Sequence, residues 1–160
     1  MLFLKELFTI GNVPEDDETQ NNLNYVKRIQ VATCALFLEI ARADNNIGSD
    51  EREKIVSIMR STFKIEPEYV QELMLLTENS IKKSSSIYEY TELVKKSFTR
   101  KEKAEIIENL WRLVFVDEIM DKYEEHLLKS IGRNLGLDYR EILNAKIMIL
   151  EEQKTRRETK

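Results

Sequence analysis

The 160-residue sequence predicts an all-α fold, a compact bundle of about seven helices, and three observations carry that expectation. Only 4 Gly and 2 Pro punctuate the chain, too little turn chemistry for the many short strands of a sandwich or barrel. Apolar residues recur at helical spacing over long stretches. Between those stretches stand polar residues that can cap a helix start, several with a Glu three positions on. A composition that is 42% hydrophobic and 34% charged supports one buried core in one domain, and is too evenly charged for a membrane span.

The chain opens with MLFLKELFTI, in which Leu2, Phe3, Leu7, Phe8 and Ile10 form an apolar face too large to leave in water. It lacks the basic flank and small-residue cleavage site of an export signal. Packing on the body is the expected fate of this short helix; docking on a second copy or on a membrane surface are the alternatives. The polar run GNVPEDDETQNNLN has no apolar period and reads as a linker. Residues 1–24 are therefore a short N-terminal helix and acidic linker, 25–150 the helical domain, and 151–160 a charged tail expected to fray.

From Tyr25 the apolar positions Val26, Ile29, Ala32, Thr33, Leu36, Phe37 and Ile40 surround a helix on nearly every side, which marks it as the buried central one. It runs into a polar junction, Asp44, Asn45, Asn46, Ile47, Gly48 and Ser49. Downstream, Pro67 suits the first position of a helix and Ser86 can cap another. Thr99 with Glu102, Asp121 with Glu124, and Asp138 with Glu141 each have the spacing of a capping box.

An internal repeat emerges at an offset of 73 residues. Asp44 pairs with Asp117, Ile47 with Met120, Gly48 with Asp121, Glu51 with Glu124, Ile55 with Leu128 and Ile58 with Ile131. Each half reads as a helix-junction-helix plan, related to the other as a pseudo-twofold pair. Ile47 and Met120 are expected to plug the junctions onto the core. Asp44 and Asp117 follow directly on helix C-termini, where exposed carbonyls disfavour an anion. Backbone N–H groups, a cation such as Arg42 or Lys122, or a divalent metal could compensate them. Only the second junction collects Asp117, Asp121 and Glu124 together; the first offers Asp44 and Glu51. Neither is an EF-hand loop, because position 12 counted from Asp44 falls on Ile55.

The two junctions, with YEEHLL from Tyr123, Leu110-Trp111 before the second junction and Leu135-Gly136-Leu137 after it, resemble the TerB-like family associated with tellurite resistance. Asn45 and Glu118 stand where the family has Gly after each Asp, and Gly48 replaces the turn acid of the first copy. The resemblance implies a cytoplasmic stress-response module, all-helical, that binds divalent metal through Asp117, Asp121, Glu124, Asp44 and Glu51, with Ca²⁺ or Mg²⁺ suited to oxygen ligands. Related domains beside DnaJ-type chaperone segments imply docking on a protein partner.

No phosphate loop, paired-carboxylate motif or nucleophile elbow is present, so no catalytic residue and no organic cofactor is expected, and the chain reads as non-enzymatic. A net charge of -4, with Lys and Arg scattered, argues against nucleic acid as partner. Cys34 is alone within an apolar run, consistent with a reducing cytoplasm and a core position. His126, the single histidine, leaves no His-rich metal site, and Trp111 lies on an apolar stripe as a core anchor. The alternative to a metal-binding sensor or scaffold is a metal-independent interaction domain, with a homodimer through the N-terminal segment as one form.

Overall fold

The computed structural model describes residues 17–42, 47–83, 87–116 and 122–158, and the side chains of the first stretch from Tyr25 onward. Residues 1–10, Ser86, Asp44, Met120, and the acids Asp117, Glu118 and Asp121 lie outside the described residues. Among the described residues seven helices follow one another: α1 (Asp17–Ala41), α2 (Ser49–Phe63), α3 (Pro67–Lys83), α4 (Ile87–Ser97), α5 (Arg100–Val114), α6 (Lys122–Asn134) and α7 (Tyr139–Glu158). No strand occurs among the described residues. None of these helices is long and apolar enough to cross a membrane.

Helix α1 is the centre of the bundle, touching α2, α3, α4, α5 and α6, while α7 packs on α5 and α6. Its unbroken run from Ala32 to Leu38 is buried, which the all-round apolar sequence requires. Within that run the Thr33 hydroxyl donates to the Ile29 carbonyl, 2.8 Å away, and so enters the core with its donor satisfied. Burial of each Ile, Leu or Phe of this helix contributes roughly 1.5–3 kcal/mol.

Two boundaries differ from the sequence reading. The linker was expected to extend to residue 24, but α1 begins at Asp17. Once the apolar stripe from Val26 onward is packed, extending the helix backward needs no new nucleus. The charged tail, expected to fray from residue 151, continues as helix to Glu158. Arg112 grips Glu152 with two bonds, Nε to Oε2 at 3.0 Å and Nη2 to Oε1 at 3.2 Å. Gln153 Nε2 donates to the Phe115 carbonyl at 3.3 Å, and Arg156 and Arg157 favour the negative helix end.

The capping expectations that can be followed hold. Thr99 and Glu102 close a reciprocal capping box on α5. Glu141 N donates to Asp138 Oδ1 at 2.9 Å, and Asp138 N donates back to Glu141 Oε1 at 3.4 Å, at the start of α7. Pro67 is the first residue of α3. Trp111 is fully buried, stacked on Phe115 at 5.7 Å, and its indole N–H donates to the Ile142 carbonyl at 3.1 Å, joining α5 to α7.

Candidate functional site

The two helix pairs flanking the acidic junctions keep one register. Helix α1 ends at Ala41 and α5 at Val114; α2 starts at Ser49 and α6 at Lys122, each 73 residues later. Along α2 the inward residues are Glu51, Ile55, Ile58 and Met59; along α6 they are Glu124, Leu128, Ile131 and Gly132, at the same offset. A glutamate thus occupies the third position of each helix and faces inward.

Glu51 is 6% exposed and Glu124 7%, and buried carboxylates are costly unless engaged. Both have interaction partners in the fold. At the first junction Gly48 is the N-cap, extended at φ -70 and ψ 161, and gives no side-chain cap to α2. A Cβ at Gly48 would lie 3.8 Å from Glu51 Oε1, so the carboxylate lies back along the helix start. Arg52 N closes the first turn onto the Gly48 carbonyl at 3.0 Å. Ile47, half-buried, packs on the core, as a junction plug should. Asp44 itself lies outside the described residues, as do Asp117 and Asp121, so Glu51 and Glu124 are the two of the five candidate ligands whose surroundings are seen.

Fixed charge surrounds these carboxylates on the outer faces. Next to Glu124, Glu125 accepts from Lys146 Nζ at 2.8 Å and pairs with Lys129 at 3.4 Å, one turn on. The Lys146 bond is the main reason the Glu125 carboxyl is held below its usual range; partial burial works against it. His126 is exposed, pointing away from the inward face of α6. One turn beyond Glu51, half-buried Lys54 is held below the usual lysine range by desolvation and then by the fields of Arg156 and Arg112, against the pull of Glu152. Sequence spacing could have shown the Glu125–Lys129 pair, four residues apart on one helix. The Lys146 and Arg112–Glu152 contacts join distant stretches and leave no local signal.

Among the described residues no three His, Cys, Asp or Glu side chains cluster with metal-ligand geometry. Cys34 is buried beside Thr77, and burial pushes its thiol up to about 12, so it offers no thiolate. A separate polar anomaly lies in the core. Gln30 is fully buried, its Oε1 accepts from the Tyr69 hydroxyl at 3.4 Å, and its Nε2 has no hydrogen-bond partner among the described residues.

Compared with known proteins, the chain matches one family, described as Tellurite resistance protein TerB, over residues 30–147. No curated protein and no solved structure gives a significant match. The matched stretch begins within α1, ends within α7, and contains both junctions and both buried glutamates.

Proposed function

The chain belongs to the TerB family, and from that premise we propose that it is a non-enzymatic helical scaffold or sensor that holds a divalent cation at its second acidic junction. Asp117, Asp121 and Glu124 are the ligands of this reading, and Asp44 with Glu51 forms the poorer first copy. The supporting observation is the inward placement of Glu124 at the head of α6, three residues after Asp121 and seven after Asp117. Asp117, Asp121 and Glu124 fall within eight residues of sequence, and a hard cation is the kind of ligand that such a set of carboxylate oxygens suits. Ca²⁺ and Mg²⁺ match that donor set; with its other positions filled by carbonyls or water, such a cation would tie the ends of α5 and α6 together. Occupancy would then change how the junction presents itself to a protein partner in a cytoplasmic stress response.

Calorimetric titration of metal-stripped chain with Ca²⁺ and with Mg²⁺ tests this reading. Saturable heat that disappears in Asp117→Asn supports it, and absence of heat with both ions rejects it.

A second reading is favoured by the position of Glu51 Oε1 near Gly48. A glutamate at the third helical position can accept from the N-cap backbone, which makes it half of a capping box. On that reading the acids are structural, the chain is a metal-independent docking module, and Glu51→Gln lowers stability by about 1 kcal/mol without touching any ligand equilibrium.

A further inference from the structure

A groove of about 520 Å³ opens between α1, α3 and α4, floored by Val31, Ala32, Leu76, Tyr90 and Leu93. Leu76 is 43% exposed there, and Leu75 beside it on α3 is 64% exposed, so this face leaves branched apolar side chains in contact with water. Lys27 and Arg28 line the groove from α1 and Glu89 from α4, and neither cation makes a salt bridge among the described residues.

We propose that this groove is the docking site of the chain's own N-terminal segment, residues 1–10. Two properties select that occupant. The segment carries Leu2, Phe3, Leu7, Phe8 and Ile10, the size and chemistry the groove floor accepts, and the cavity has room for several such side chains. The tether also reaches. Along α1 the rise from Asp17 to Lys27 is about 15 Å, and the six residues between Ile10 and Asp17 span up to about 20 Å when extended. Folding back on its own helix therefore brings Ile10 level with the groove, at an effective concentration in the millimolar range that a free partner would have to exceed. This inference is independent of the metal reading.

Hydrogen exchange read together with sedimentation mass tests it, on the full-length chain and on full-length Phe3→Glu/Phe8→Glu and Leu76→Glu variants. Leu76 is partly exposed and the two Phe precede α1 in the sequence, so either change should leave the buried core of the described residues folded. In the unaltered chain, amides of residues 2–10 should be protected; in both variants they and the groove amides of 27–32, 75–80 and 89–93 should exchange about tenfold faster or more, with mass unchanged. Protection of the groove that is indifferent to Phe3→Glu/Phe8→Glu overturns the proposal. So does protection that accompanies a dimeric mass and vanishes on dilution, which assigns the groove to a second copy.

Discussion

A methyl group on Gly132 would sit 2.6 Å from Ile142 Cδ1 and 2.8 Å from its Cγ1, so α6 and α7 approach at a point where only hydrogen fits. The residue 73 positions earlier in the sequence, Met59, is also buried.

Gly132→Ala should therefore destabilise the chain by about 1–3 kcal/mol through overpacking, despite the better helix propensity of Ala. Ile142→Val in the same chain removes Cδ1 and should restore part of the loss. Urea unfolding of the two variants checks this; an Ala variant as stable as the parent would show that the helices can part at no cost.

Gln30 keeps a buried Nε2 without a hydrogen-bond partner among the described residues, and the bond its Oε1 accepts from Tyr69 is long at 3.4 Å. Gln30→Met removes that desolvated donor while keeping the volume, and should be neutral or stabilising by up to about 1 kcal/mol in denaturant unfolding. A loss above 2 kcal/mol would mean the amide has a use in the fold.

The Cys34 thiol is fully buried and its pKa is pushed up to about 12 by desolvation, partly offset by the Thr77 hydrogen bond. Alkylation at pH 8 should then proceed only as fast as the chain unfolds, and should accelerate in step with urea. Rapid, stoichiometric labelling of native protein would contradict the packing around α1.

Glu125, bonded to Lys146 and Lys129, and Glu152, bonded to Arg112, are both held below the ordinary 4.5 in the fold. Each folded carboxylate releases its proton more readily than the unfolded one, so its stabilisation is present above about pH 4.5 and fades as pH falls toward the depressed value. Both sites are partly solvated, which limits each pair to about 1 kcal/mol or less. Acid unfolding should steepen below pH 4.5, and Glu125→Gln should flatten that part of the profile while costing little stability below it.

Helical architecture was legible because α1 and α5 carry apolar residues at a spacing that no strand could use, and because Thr99 and Asp138 announce their helices with a glutamate three positions on. The start of α1 at Asp17 was not legible, since polar residues carry no period and the helix there follows from packing further along. The tail to Glu158 was missed for a related reason: Arg112 and Glu152 meet across 40 residues of chain. At the site, the spacing of Glu51 and Glu124 from their junction acids could be read directly. Their burial could not, because a glutamate in a first helical turn faces either water or core according to what the neighbouring helices leave open.

The thermal midpoint of the metal-stripped, full-length chain with added Ca²⁺ or Mg²⁺ bears most directly on the second junction. A ligand that binds only the folded state stabilises it by mass action, by about 2.7 kcal/mol at a hundred times its Kd. The midpoint should rise with at least one of these ions, and the rise should be lost in Asp117→Asn and weakened in Glu124→Gln. An unchanged midpoint with either ion up to millimolar concentration would contradict cation binding and leave Asp117, Asp121 and Glu124 as structural caps of α6.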